Sequence, residues 1–208
     1  MGDELAVVQV GSYANFVGAH FWNLQNELYG SESGADLNPE ALYVERLSGV
    51  FTPRALIVDA KGSLGSRPLS LRGAKQEASA EDVWSQAPSV YAEKRVEPNP
   101  FLKSLENEDA DAGGSAPPMD AQIQASFTYW TDYCKEMFHD RTLAQLGGVF
   151  FDGDPMETFT AGLAATSPEQ LENLLDDFRW QTEQSDHLTG VLGLVESDSG
   201  FTGVADLL

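Results

Sequence analysis

The sequence predicts an α/β fold: a mostly parallel sheet with helices on both faces. Three observations carry that prediction. Apolar, β-branched runs recur at residues 5–10 (LAVVQV), 54–59 (RALIVD) and 189–195 (TGVLGLV), the composition of strands buried in a parallel sheet. Helix-period stretches lie between these runs, and alternation of the two implies a layered α/β domain. Two of the runs lead through Gly/Ser turns, 11–15 and 196–203, into helical sequence. Such turns gather at the carboxyl edge of a parallel sheet, where helix N-termini meet anions.

The elements follow in order. Residues 5–10 form the first strand, and Gly11 opens the turn. Val17, Phe21, Leu24 and Leu28 recur at helical spacing, the stripe of a helix packed on a sheet. Gly30 ends that helix, and 31–39 is a polar loop. Residues 42–45 make a short strand, and 54–59 a buried one after Pro53. From Ile123 a helix is expected, because Phe127, Trp130, Tyr133, Cys134, Met137 and Phe138 share helical spacing. Residues 143–166 read as a Gly-rich loop. Ser167, Pro168 and Gln170 then form a capping box with proline at the first helical position. Leu171, Leu174, Leu175 and Phe178 supply that helix's buried face, which runs to about Asp186. Residues 189–195 are read as a third buried strand, and 204–208 as a helix that has barely begun. So short a helix buries little, so the chain reads as the front portion of a longer protein. The organisation is a first part of the domain at 1–63, an acidic Pro/Gly/Ser-rich flexible insert at 64–125, and the remainder at 126–208.

Charge narrows the function classes. Thirty-three acidic against 12 basic side chains give a net charge of −21. That field repels nucleic acid and anionic lipid, and suits solubility or a basic partner. Cys134 is the one cysteine, so no disulfide forms within the chain, as suits a reducing compartment. His139 lies off the face Cys134 would share, which gives no thiol–imidazole pair. No apolar run reaches the roughly 18 residues of a membrane span, and Asp3 and Glu4 stand where a targeting peptide is basic. Asp152, Asp154 and Glu157 lack the spacing of a calcium loop, and His20 and His187 read as packing and helix-end residues. No zinc spacing or hydrolase elbow occurs. The chain is placed in the cytoplasm or peripherally on an organelle surface.

Several spaced blocks resemble one family. Residues 9–23 (QVGSYANFVGAHFWN), 52–64 (TPRALIVDAKGSL), Trp84, the run from Trp130 to Leu143, and 190–201 (GVLGLVESDSGF) are similar to the Misato family of tubulin-like proteins. The resemblance implies a tubulin/FtsZ-like N-terminal Rossmann-type domain. Gly11, Asn15, Gly18, Phe21 and Trp22 match the first tubulin block, and Pro53, Arg54 and Asp59 the second. It also implies a candidate degenerate nucleotide site for GTP at Gly11, Ser12, Tyr13, Asn15, Ser197, Ser199, Gly200, Thr202 and Gly203.

The phosphate chemistry departs from that pattern. Glycines let consecutive N–H groups converge on a phosphate. The segment 196–203 keeps two of them and has gained Glu196 and Asp198, which repel polyphosphate. Ser12 and Tyr13 replace other residues in the first turn, and Ala60-Lys61 follow Asp59 without a magnesium-binding acid. No catalytic or metal residue is assigned. The resemblance implies a non-enzymatic protein of mitochondrial distribution, morphology and mitochondrial DNA inheritance, with tubulin or chaperonin as partners and peripheral association with the mitochondrial outer membrane. The competing reading is a GTP-binding, tubulin-related switch.

Overall fold

A computed structural model describes residues 3–30, 38–46, 50–64, 101, 127–147 and 156–208. The predicted insert lies almost wholly outside the described residues, as do Trp84, Asp152 and Asp154. Strand β1 (Glu4–Val10) runs into α1 (Ser12–Gly30). A hairpin follows, β2 (Tyr43–Arg46) antiparallel to β3 (Val50–Pro53), then β4 (Ala55–Ala60). After two short 3-10 turns at 130–132 and 140–142 come β5 (Leu143–Leu146), α2 (Phe159–Ala165) and α3 (Pro168–Thr182). Strand β6 (Leu188–Val195) and α4 (Phe201–Ala205) close the chain.

Four strands form one parallel sheet in the order β5-β4-β1-β6. Side chains alternate across it. Val7, Ala55 and Ile57 point to α1, where they meet Trp22, Trp130 and Phe138. Val10, Leu56, Val58 and Leu146 point the other way, onto Leu174 of α3 and Phe201 and Val204 of α4. The expected α/β layering is therefore present, and the capping box at Ser167 and Gln170 forms as predicted.

Below the sheet, Arg54 is fully buried. Its guanidinium bonds the carbonyls of Leu5, Glu40, Ala41 and Tyr43 and pairs with Glu4 at 3.4 Å. It ties the hairpin to the first strand.

Four expectations need correction. Of the stripe Val17, Phe21, Leu24 and Leu28, only Phe21 packs against the core; the other three are exposed. Small residues make the contact instead, because Gly18 lies so close to β1 that a Cβ would sit 2.1 Å from the Gln9 amide oxygen. Asn15, Ala19 and Trp22 complete the inner face. Second, residues 127–138 are not a helix. The side chain of Asn23 donates to the Tyr133 carbonyl at 2.6 Å and accepts from the Lys135 N–H at 2.8 Å, which pins residues 133–135 against α1 after a single 3-10 turn. Its aromatic and β-branched content also weakens helix formation. Third, 143–166 is not all loop. Its first residues add a parallel strand to β4, and Thr158 caps α2 by accepting from the Ala161 N–H. Fourth, β6 is not buried. It is an edge strand with Val191, Leu192 and Val195 exposed, since among the described residues no strand lies beyond it.

Candidate functional site

The carboxyl ends of β1, β4 and β6 converge, as the two Gly/Ser turns required. Gly11 sits in the left-handed region at φ +104°. Its N–H donates to the Val58 carbonyl, and a Cβ would lie 2.7 Å from the Glu196 Cβ. Only glycine suits that conformation and that gap.

Several of the groups that would greet a phosphate are already engaged. The first turn of α1 offers the Tyr13 N–H, and Glu196 Oε2 accepts it at 2.8 Å. A carboxylate at a helix N-terminus satisfies an otherwise orphaned donor and complements the helix dipole. Ser12 Oγ donates to Asp59 Oδ1 at 2.7 Å, and Asn15 Nδ2 to Asp59 Oδ2 at 2.9 Å. The indole N–H of Trp130 reaches the same Oδ2 at 3.0 Å, and the Ala60 N–H reaches Oδ1 at 2.7 Å. Asp59 is fully buried. Four donors satisfy a carboxylate there without a cation.

In the second turn, residues 200–203 are spent on packing. The Gly200 N–H donates to the Met156 carbonyl, Phe201 N–H to Ser199 Oγ, Thr202 N–H to the Ser199 carbonyl, and Gly203 N–H to the Gly200 carbonyl. Thr202 Oγ1 donates to the carbonyls of Glu196 and Ser199. The glycines here admit α2. A Cβ on Gly162 would overlap the Gly200 carbonyl oxygen at 1.7 Å, and one on Gly203 the Phe159 carbonyl at 2.2 Å. Ser197 and Asp198, earlier in the same turn, are exposed.

The structure thus brings Gly11, Ser12, Tyr13 and Asn15 to one edge with the 196–203 turn. It adds Asp59 and Trp130 as the residues that organise them. Trp130 read as core from its spacing, and nothing in the sequence marks its N–H as a partner of a strand-end carboxylate 71 residues away.

A family model for the Misato Segment II tubulin-like domain matches residues 3–107, half of the chain. The chain belongs to the Misato family. Its relatives include Protein misato homolog 1 of Mus musculus, 30% identical over 97% of this chain and 40% of that protein. The homologue of Danio rerio is 27% identical over 97% of this chain and 41% of its own length. Protein DML1 of Phaeosphaeria nodorum is 32% identical over 98% of this chain and 39% of that protein. The chain spans about 40% of the length of these relatives.

In this Misato chain the parallel sheet carries a tubulin-like domain. Among its described residues no three His, Cys, Asp or Glu side chains gather as a metal site, and no helix is long and apolar enough to cross a membrane. A second buried polar cluster lies on the α1 side. Glu136 is 8% exposed and accepts from Asn26 Nδ2 at 2.9 Å. Burial pushes its carboxyl up to about 7, against the opposing pull of Asn26 and Lys135. Nearby Tyr43 is pushed well above its usual range, first by burial and then by Glu136.

Proposed function

We propose that this chain is the front part of a non-enzymatic tubulin-like scaffold of mitochondrial distribution, morphology and mitochondrial DNA inheritance. The observation that carries the non-enzymatic reading is internal occupancy of the cradle. Glu196 takes the helix N-terminal N–H of Tyr13, and Asp59 takes the side chains of Ser12 and Asn15. A polyphosphate would have to displace one carboxylate and lie against its charge, a repulsion of several kcal/mol at short range without a bridging metal. The protein keeps the shape of a nucleotide domain and fills it with its own acids. The mitochondrial role rests on family resemblance, as does a partnership with tubulin or chaperonin, and the acidic surface suits protein partners.

Two measurements test this. Calorimetric titration of the full-length protein with GTP and magnesium is expected to give no binding at millimolar nucleotide. Micromolar binding would favour the GTP-dependent switch instead. Depleting the protein from cells is expected to disperse or clump mitochondria, with rescue by the full-length chain. A normal mitochondrial network after depletion would overturn the cellular role.

A further inference from the structure

Residues 133–136 lie against α1 without joining a helix or strand. Side chains of α1 hold them there. Asn23 engages the Tyr133 carbonyl and the Lys135 N–H, and Asn26 Nδ2 donates to Glu136 Oε2 at 2.9 Å. Cys134 is fully buried in the cluster with Trp22, Tyr43 and Phe138. The chain is anchored separately on either side. Thr131 Oγ1 donates to the Leu64 carbonyl at 2.9 Å, Trp130 reaches Asp59, and Phe138 is fully buried. A short segment held by side chains rather than by a strand ladder opens locally, at less cost than global unfolding.

Glu136 sets that cost. Among the described residues, the groups facing it are Asn26 of α1, Tyr43 of β2 and its own neighbour Lys135. The Cys134 thiol donates to the Glu136 backbone carbonyl at 3.8 Å, and Tyr29 stands ring to ring with Tyr43 at 5.4 Å. The buried Tyr43 hydroxyl has no hydrogen-bond partner, so it gives the carboxylate no bond. Asn26 and Lys135 favour the charged form, and burial outweighs both. A carboxylate in this pocket gains by reaching water, and a neutral carboxyl does not.

We infer that residues 133–136 form a proton-dependent latch on α1: Glu136 with its proton keeps the latch shut over Cys134, and the carboxylate form releases it. The latch rests on contacts of α1 and β2, not on the cradle. Its sign follows from a carboxyl that titrates at about 7 when shut and at its ordinary 4.5 when open. The shut form is favoured at low pH, and the open fraction should rise roughly tenfold between about pH 6 and pH 8.

The test uses the full-length protein. Alkylation of Cys134 by iodoacetamide is followed across that range by mass spectrometry of its peptide, in the wild type and in Glu136→Gln. The thiolate fraction rises with pH in both proteins, so the ratio of the two rates isolates Glu136. That ratio is expected to rise roughly tenfold between about pH 6 and pH 8. Low urea should leave the wild-type rate nearly unchanged, since a local opening exposes little surface. Hydrogen exchange reads the same event in the wild type alone. The Lys135 amide, corrected for its intrinsic rate, should lose roughly tenfold in protection over the same range with little dependence on urea. A rate ratio or a Lys135 protection that is flat with pH overturns the latch. So does labelling that climbs with urea as steeply as global unfolding, since Cys134 is then exposed only when the whole domain unfolds.

Discussion

Replacing Glu136 with Gln should change the pH dependence of stability in a calculable way. The carboxyl is 8% exposed and titrates at about 7 in the fold, against an ordinary value of 4.5. Burial is the main cause, because the charged form loses water that the Asn26 donor only partly replaces. The folded state therefore holds its proton over a range where the unfolded chain has released it. Below the unfolded value both states are protonated and the full stability is present. As pH rises towards about 7 stability falls, and above it the loss is constant. At about 1.4 kcal/mol per pH unit the total is about 3 kcal/mol, of which about 2 falls between roughly pH 5.5 and pH 8. Gln keeps an oxygen for Asn26 and carries no charge. Urea unfolding of both proteins across that range isolates the effect. His139, whose burial lowers its own titration and gives the opposite slope, is common to both and cancels. The variant should gain on the wild type steadily as pH rises. A difference that is flat with pH, or shrinks as pH rises, would refute the assignment of a protonated buried Glu136.

Other perturbations follow from the same contacts. Asp59→Asn sets an amide N–H against one of four donors, and should cost about 1–3 kcal/mol in unfolding free energy with a shifted Trp130 emission. Arg54→Met strands the Glu4 carboxylate and four carbonyls, and should cost about 3–5 kcal/mol by denaturant titration. Gly162→Ala drives a Cβ into the Gly200 carbonyl, and should lower the melting temperature by an amount equivalent to about 1–3 kcal/mol of overpacking. A neutral result for this last variant would mean α2 is not seated on the second turn.

The sheet was legible because its signals are local. Continuous apolar runs at 5–10 and 54–59 become central strands, and the caps of α3 are written within four residues, from Ser167 to Gln170. What escaped depended on partners distant in sequence. The stripe of α1 has ideal helical spacing, yet spacing cannot say which face meets the sheet; Gly18 against Gln9 decides it. In the run at 127–138, Trp130, Cys134 and Phe138 bury as expected, but Asn23 claims the backbone at Tyr133 and Lys135 and denies it a helix. Strand β6 reads as buried because its residues are apolar, whereas burial needs a neighbour on each side. For the candidate site, the sequence indicated that Glu196 stands where a phosphate loop has glycine. It could not indicate that the carboxylate reaches the Tyr13 N–H, or that Asp59 gathers Ser12, Asn15 and Trp130.

In the proposed scaffold, Glu196 and Asp59 do the work a nucleotide would do at the edge of this sheet. Nucleotide content of the full-length protein, purified without added nucleotide and denatured in acid, tests it most directly. Anion-exchange chromatography of the extract should show no guanine nucleotide above background, while the protein remains folded before denaturation. Guanine nucleotide near one equivalent per chain would contradict the account.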